Sequence, residues 1–554
     1  MSLSSSGSEP LVHREHAAGE SIGILPIDLD RPSLGKLAPQ NIVLFGPPGV
    51  GKTVIGKLLA ETLNRPLVDT DKQIEAVSGK TIEAIFRDEG EAAFRDLERE
   101  LSASLARRTG LVVACGGGTL LDDVSRQAIE ASSSVVFLDC AADVLLTRLD
   151  RKHDRPLLTD DLRTKLAALL AERAESYLGF APRLDTTGRG PSETVAEIQT
   201  LLRAAEVHSW TVKQPPADYT VQLGPGLLER LPSTLASHGL HSPYIVISDS
   251  HVGPLYAEDV CRAIDGRLVT FPAGEQSKTL ATVEGLSERC LEEGLERGGT
   301  VIALGGGVVS DVAGFVAAVY MRGVRWAALP TSLLAMIDAC VGGKVGVDLT
   351  SGKNLIGAFY PPGLVLADTR TLETLPDEEF RGGMAELVKA ALVGDPTLFD
   401  WLEAGDARPS PRWLERSLAV KLTIVERDPY EQGERAALNL GHTVGHALER
   451  LSDYTLHHGE AIAIGLVAET RMAERLGLAE AGMAGRIETV LSRLKLPVRI
   501  QNGTPGQVKL AMTADKKRVG NAPRFALPIS PGKVKTGCLV PDHLVLEVLE
   551  EMVK

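Results

Sequence analysis

Residues 46–53 read GPPGVGKT, directly after the apolar run NIVLF at 41–45 and directly before a helical pattern over 53–63. The spacing GxxxxGK[ST] becomes a phosphate-binding loop when a buried strand feeds it and a helix leaves it, and both flanks are present. This calls for an α/β unit with a parallel sheet. Backbone N–H groups around Gly46, Gly49 and Gly51, with the helix N-terminus, cradle nucleotide phosphates. Lys52 reaches the β and γ phosphates, and Thr53 holds Mg²⁺.

The residues after the loop indicate what the nucleotide is for. A short strand at 66–68 runs into Asp69, Thr70 and Asp71, which places two carboxylates at the carboxyl edge of the sheet, where open α/β folds bind their substrates. Phe94, Arg95 and Asp96 lie in an acidic helical segment. The strand LVVAC at 111–115 empties into Gly116, Gly117 and Gly118, and three residues without side chains let a ring-shaped substrate lie against backbone. Arg148 and the polar segment DRPLL at 154–158, with Arg155, read as a charged lid over a transferring phosphoryl group. Arg173 and Tyr177 share a helix face. Taken singly, each arginine reads as a solvated surface residue. Beside a P-loop, they point to a small kinase whose acceptor carries a hydroxyl and a carboxylate.

Residues 41–202 resemble shikimate kinase, with all these motifs in the family's order. The resemblance implies that Asp71, Arg95, Arg173 and the glycine run hold shikimate, with Asp71 orienting the acceptor 3-hydroxyl. It also implies that Arg155 closes over the phosphates and Arg148 flanks adenine. Catalysis is then mainly in-line positioning and charge neutralisation.

At 554 residues the chain is too long for one core, so further domains are expected. A net charge of -14 argues against nucleic acid or an anionic membrane as the main partner and leaves small-molecule substrates. Six cysteines without a CxxC fit a reducing, cytoplasmic setting. The polar opening has no signal-peptide core, and the longest apolar run, 301–320, is interrupted by Gly305, Gly306, Gly307, Asp311 and Gly314, which argues against a membrane helix.

Downstream, His442 and His446 stand four apart, one helical turn, and His458 follows a loop long enough to fold back on them. Thr443 and not Glu follows the first histidine, so the HExxH peptidase pattern is missing. Glu386, in a helix-like run, offers an oxygen ligand, and two histidines plus one carboxylate with an open position make a catalytic zinc arrangement. From spacing alone, four histidines within 17 positions read equally well as surface and hydrogen-bonded core residues. The region before them is α/β: strands at 244–250 and 300–304, the second emptying into Gly305, Gly306 and Gly307, with a loop at 272–278 that bears an acid and a base. GxGxxG is absent, so this run alone says little about a dinucleotide. Beyond residue 380 the periodicity turns helical over 381–393, 413–426 and 436–451, carrying Lys389, Lys421, Arg435 and Asn439. A cleft between an α/β half and a helical half is a default ligand site.

Residues 216–550 resemble 3-dehydroquinate synthase through GEQSK at 274–278, LGGGVVSDVAGF at 304–315, VGGK at 341–344, GKNLIGAFY at 352–360, AELVK at 385–389, LNLGHTVGHALE at 438–449 and HGEA at 458–461. The resemblance implies Zn²⁺ on Glu386, His442 and His458. It implies NAD⁺ on Asp249, Glu275, Lys278, Gly306, Gly307, Asp311, Thr331 and Ser332. Around the substrate it implies Asp338, Lys344, Lys353, Asn354, Lys389, Arg435, Asn439, His446 and one of Lys516 and Lys517. Lys344, Lys389 and His446 are the catalytic candidates, and His446 is the proton relay. Arg322 would be a phosphate ligand supplied across a homodimer interface. Ala339 and Cys340 stand where the family usually has serines, and Gly346 with Val347 replaces the commoner Ala–Val pair. The implied chemistry is that of a phosphate-eliminating lyase. It oxidises 3-deoxy-D-arabino-heptulosonate 7-phosphate at C5, eliminates phosphate, returns the hydride and closes the ring by an aldol step.

The expected organisation is a leader over 1–38, a P-loop parallel-sheet kinase domain over 39–203 and a linker over 204–215. A Rossmann-like NAD-binding α/β domain then covers 216–379, and an all-helical metal- and substrate-binding domain covers 380–554. Kinase and lyase products of this pair are not consecutive, so co-regulation is expected and direct channelling is not. A zinc and NAD polyol dehydrogenase is the alternative for the second half. The clustered Lys344, Lys353, Lys389 and Arg435 disfavour it, because an uncharged polyol needs none of them.

Overall fold

The computed structural model describes residues 40–150, 162–205, 207–350, 352–404, 409–453, 455–501, 503–513, 518–519 and 522–553. Arg155, the 154–158 segment, the leader over 1–38, Lys516 and Lys517 lie outside the described residues. Two compact units result, one from Asn41 to Ala196 and one from Glu197 onward, and the division falls within the helix Pro191–Ala205.

The first unit is a five-stranded parallel sheet in the order β2-β3-β1-β4-β5. Its strands are β1 (Asn41–Phe45), β2 (Leu67–Asp69), β3 (Val112–Ala114), β4 (Ser133–Asp139) and β5 (Arg183–Asp185). β1 is buried along its whole length, as expected of a strand covered on both faces, and its residues are a continuous apolar run after Asn41. Asn41 donates to Leu105 O (3.1 Å) and Arg108 O (2.8 Å) and accepts from the Leu111 N–H (2.9 Å). One buried amide thus ties the start of the strand to the end of a helix and to β3. Register aligns Leu44 with Ala114 and Ala114 with Asp69, so β1, β2 and β3 end side by side. On one face Phe45, Phe137, Tyr177 and Phe180 pack with ring centroids 4.8–5.9 Å apart.

The second unit has a seven-stranded sheet in the order β6-β7-β14-β11-β10-β8-β9, parallel except for the β6–β7 pair. These are β6 (His208–Val212), β7 (Tyr219–Gly224), β8 (Tyr244–Asp249), β9 (Arg267–Phe271), β10 (Thr300–Gly305), β11 (Arg325–Pro330) and β14 (Leu364–Asp368). A bulged hairpin, β12 (Lys344–Leu349) and β13 (Gly352–Phe359), stands apart from the sheet. From Asp377 on the chain is mostly helical, with a small hairpin of Phe525–Ser530 and Lys533–Cys538 added to what periodicity alone reads as helices. The periodic run 436–451 is also not one helix. A 3-10 segment, Glu434–Asn439, ends before Gly441, whose φ of +80° starts the helix His442–Leu451 afresh. No helix among the described residues is long and apolar enough to cross a membrane.

The buried helix His458–Arg475 is the hub of this half, and glycines let its neighbours come close. A Cβ at Gly459 would lie 2.2 Å from Gly382 O, and one at Gly465 would lie 1.9 Å from Gly441 O. Backbone therefore meets backbone at both crossings. All four tryptophans (Trp210, Trp326, Trp401 and Trp413) lie in the second unit, so tryptophan fluorescence reports its unfolding alone. Gly465→Ala should lower its stability by about 1–3 kcal/mol through overpacking, read as an earlier denaturant midpoint in fluorescence, while the P-loop unit keeps its own transition.

Candidate functional site

In the first unit the P-loop is folded onto its own lysine: Lys52 Nζ donates to Gly46 O (2.8 Å) and Pro47 O (3.1 Å). Gly46 has φ +146°, and a Cβ there would sit 2.2 Å from Leu138 O of β4, so no other residue fits. Gly49 and Gly51 also have positive φ, and Gly51 starts the helix Lys52–Leu63. Thr53 Oγ1 donates to Asp69 Oδ2 (2.8 Å), which sets two oxygens beside the loop. Paired oxygens of this kind suit a hydrated Mg²⁺.

Asp71, Arg95 and Arg173 arrive from three different helices and meet at the glycine run. A Cβ at Gly116 would strike Asp71 Oδ1 at 2.5 Å, and one at Gly118 would strike Arg95 Nη1 at 2.8 Å. Gly117 O accepts from Arg173 Nη1 (2.8 Å) and from the Tyr177 hydroxyl (3.1 Å). Tyr177 thereby fastens the helix Leu162–Leu178 to the glycines while its ring sits in the core. Arg95 is aimed by Glu98 (2.5 Å), a buried carboxylate that also accepts from Thr119 Oγ1 (2.6 Å). Sequence reading missed Glu98, whose only signal is its place one helical turn after Arg95. Arg148 lies along the side of the P-loop, donating to Val50 O (3.1 Å) and Thr186 O (3.2 Å).

In the second unit Glu386, His442 and His458 converge, with one ligand atom from each within 4.8 Å of the others. Nε2 of His458 is 3.4 Å and Nε2 of His442 is 3.8 Å from Glu386 Oε1. Nδ1 of His442 lies 3.1 Å from Leu440 O, so both rings turn Nε2 to the same carboxylate. Glu386 is 2% exposed, and among the described residues neither oxygen has a hydrogen bond of good geometry. A buried anion facing two imidazole nitrogens fits a divalent cation, and an N,N,O donor set is one that zinc takes. Burial, then Lys389 and the neighbouring imidazoles, hold His442 well below the ordinary histidine value, in the neutral form that ligates. Burial works to protonate Glu386, but Lys389 and His458 outweigh it and keep the carboxyl below its ordinary value. Glu469, fully buried, accepts the N–H groups of Gly441 (2.6 Å) and Val444 (3.2 Å) and so fixes where the histidine helix begins.

The residues expected to hold a dinucleotide follow the carboxyl ends of β8, β9, β10 and β11, four consecutive neighbours in the sheet. Gly306 caps the helix Gly307–Val319, and a Cβ there would lie 3.5 Å from Ser332 Oγ. The Thr331 N–H donates to Gly305 O (3.0 Å). Lys278 pairs with Asp311 (2.6 Å) and donates to Asn354 Oδ1 (2.6 Å). Asp249 spends Oδ1 on its own turn, accepting the N–H groups of His251 and Val252 at 2.8 Å each. Lys353 Nζ stands between Glu275 (3.2 Å) and Glu449 (3.1 Å).

The remaining cations surround the same space. Lys389 pairs with Glu386, Lys344 with Glu431 and Lys421 with Asp338. Asn439 Nδ2 donates to Glu431 Oε1 (2.9 Å), and buried Arg435 donates to Pro429 O (2.6 Å) and Gly342 O (3.1 Å). His446 Nε2 is 3.9 Å from Glu449 Oε2. Lys421, Glu431, Glu449 and Glu469 had no assigned role in the sequence, because a charged residue in a helical pattern reads first as solvated. Arg322 does not join this cluster. It is exposed, makes no hydrogen bond or ion pair among the described residues, and has φ +66° directly after Met321 at φ +48°.

Comparison with known proteins assigns families to both units. Residues 48–203 match the shikimate kinase family model, 268–382 match 3-dehydroquinate synthase N-terminal and 383–518 match 3-dehydroquinate synthase C-terminal. A 3-dehydroquinate synthase of Xanthomonas axonopodis pv. citri (strain 306) is 44% identical over 353 residues, covering 60% of this chain and 95% of the relative. Among solved structures, 2-deoxy-scyllo-inosose synthase complexed with carbaglucose-6-phosphate, NAD⁺ and Co²⁺ is 29% identical with a TM-score of 0.58, covering 62% of this chain and 100% of its own. The 2-epi-5-epi-valiolone synthase of Streptomyces hygroscopicus subsp. jinggangensis 5008, with NAD⁺ and Zn²⁺ bound, is 29% identical with a TM-score of 0.56, covering 62% and 99%.

Burial, with Arg435 and Lys389 adding and Asp338 opposing, brings Lys421 down to about 8 from 10.5. Between those values the unfolded chain binds the proton and the folded chain does not, so this group makes stability rise with pH across that window. The fluorescence-detected unfolding free energy of the second unit should therefore climb less steeply between pH 8 and 10.5 in Lys421→Met than in the parent. Equal slopes would mean that Lys421 keeps its proton in the folded state.

Proposed function

This chain belongs to the 3-dehydroquinate synthase family and carries a shikimate kinase ahead of it, and we propose that the synthase depends on NAD and zinc and the kinase on ATP with Mg²⁺. The synthase turns 3-deoxy-D-arabino-heptulosonate 7-phosphate into 3-dehydroquinate and phosphate, and the kinase turns shikimate into shikimate 3-phosphate. The observation that carries the cofactor reading is the meeting of Glu386, His442 and His458 in a unit that also has a glycine-capped helix at the sheet's carboxyl edge. NAD⁺ with Co²⁺ or Zn²⁺ in the two related synthases supports it. When bound, the metal supplies Lewis-acid polarisation of a substrate hydroxyl, and the dinucleotide supplies a hydride acceptor regenerated within the cycle.

The chain's own residues hold and steer the substrate. Lys344, Lys353, Lys389, Arg435 and Asn439, with Asn354 and one of Lys516 and Lys517, bind its phosphate and carboxylate. Asp338, paired with Lys421, adds to the substrate contacts. His446, half-buried beside Glu449, moves a proton at the reacting hydroxyl or at C6. Glu275, Lys278 and Asp311, with Asp249, Gly306, Gly307, Thr331 and Ser332, seat the dinucleotide. We assign Arg322 to the substrate phosphate of a second copy. Its exposure and positive φ support a homodimer through the synthase half, since strained backbone persists where function requires it.

In the kinase Lys52 neutralises the transferring phosphoryl group, Thr53 ligates Mg²⁺, Arg148 flanks the base, and Arg155 closes over the phosphates. Asp71 orients the acceptor hydroxyl, and Arg95 and Arg173 hold the shikimate ring and carboxylate against Gly116, Gly117 and Gly118. We place the division between the two enzymes at 204–215 and the protein in the cytoplasm.

Phosphate release and NADH absorbance followed together test the synthase. Phosphate should accumulate with every turnover while NADH shows no matching build-up; NADH rising in step with turnover would instead mark a dehydrogenase. For the kinase, Arg173→Ala should raise the shikimate KM roughly 10- to 150-fold, the equivalent of about 1.5–3 kcal/mol for a charge-assisted contact, and leave the ATP KM near the parent value. An unchanged shikimate KM would assign Arg173 to another ligand.

A further inference from the structure

Both histidines that face Glu386 do so with Nε2, and each ring needs a partner at Nδ1 to stay turned that way. For His442 the partner is the backbone carbonyl of Leu440, at 3.1 Å. For His458 it is a side chain, Glu449, whose Oε1 lies 3.4 Å from Nδ1. Glu449 is 2% exposed, and it stands on the helix that carries His442 and His446, one turn beyond the latter. The same Oε1 accepts from Lys353 Nζ at 3.1 Å, and Lys353 reaches Glu275 at 3.2 Å. Oε2 turns toward His446 Nε2, 3.9 Å away, and has no hydrogen bond among the described residues.

We propose that Glu449 is a positioning residue of the synthase. Its carboxylate holds the His458 ring with Nε2 toward Glu386, and through Lys353 it couples that ring to the loop that bears Glu275. The role rests on reading Glu386, His442 and His458 as the metal set. A carboxylate suits it better than a neutral group of the same shape. An ionised acceptor at Nδ1 makes a stronger hydrogen bond and raises the basicity of the nitrogen across the ring. Sharing one oxygen between the His458 ring N–H and the Lys353 ammonium also means that neither can swing away without leaving the buried carboxylate less well matched. Glu449 reaches no reacting atom by this arrangement and acts only through its two partners.

Zinc affinity of the purified full-length protein, measured by competition with a chromophoric chelator, tests the role without relying on turnover. Glu449→Ala should bind zinc about 10- to 100-fold more weakly than the parent, and Glu449→Gln should fall between them. Shikimate phosphorylation in the same samples should be unchanged. The tryptophan-reported unfolding midpoint of zinc-free Glu449→Gln should stay at the parent value, which shows that its second unit is folded. Parent-like zinc affinity in folded Glu449→Gln, or a loss in Glu449→Ala accompanied only by a lower zinc-free midpoint, overturns the proposal and makes Glu449 a packing residue. His442→Ala separates this from the reading beneath it. If that variant loses zinc while both Glu449 variants keep it, only the positioning role fails; if it binds zinc like the parent, the ligand set falls and the role falls with it.

Discussion

Glu386 carries a negative charge where water hardly reaches, and much of the second unit can be read as the neutralisation of that charge. Lys389 lies one helical turn along and the two imidazoles face it. Lys389 is itself buried, and Asp338 and Glu386 together hold its pKa above the ordinary value against burial. Asp338 in turn pairs with Lys421, and burial of Lys421 is only partly offset by that partner. The result is a chain of alternating charges. Buried ion pairs of this kind add little net stability, because desolvation cancels most of the Coulomb gain. Their value lies in a fixed electrostatic field at the place where these side chains meet.

Such a field requires helices that approach closely, and the close approach is a backbone matter. Gly382 against Gly459 and Gly441 against Gly465 bring the Glu386 helix and the first histidine helix against the helix that begins at His458. Glu469 then holds the start of His442–Leu451 by two N–H groups. In the kinase unit the same economy operates at the sheet edge. β1, β2 and β3 end in register, so the P-loop, Asp69 and the glycine run share one rim, and Asp71 and Arg95 fill the space that side chains at Gly116 and Gly118 would take. Tyr177 links that rim to the aromatic core.

Much of both sites was legible in the sequence, for reasons that are local. GPPGVGKT, the run Gly116 to Gly118, and histidines at His442 and His446 are patterns in which neighbouring residues must adopt one conformation to do their work. The α/β character with a helical second half was equally legible, from periodicity. The helix break at Gly441 was not, since apolar spacing continues across it and only the left-handed φ reveals the new start. Nor were the roles of Glu98, Glu431, Glu449 and Glu469. A glutamate within a helical pattern reads as solvated, and whether it is buried depends on what packs over it.

The sequence by itself determined the families of motif, the glycine-rich loops and the residue types available to hold a metal. Which of those residues meet was decided by tertiary structure. Lys353 and Glu449 are 96 positions apart and Asp338 and Lys421 are 83 apart. Contacts across such separations follow from how sheets and helices pack, and packing is a property of surfaces that no short stretch of chain contains. Spacing can announce a histidine pair; only burial in a shared core can commit a distant carboxylate to it.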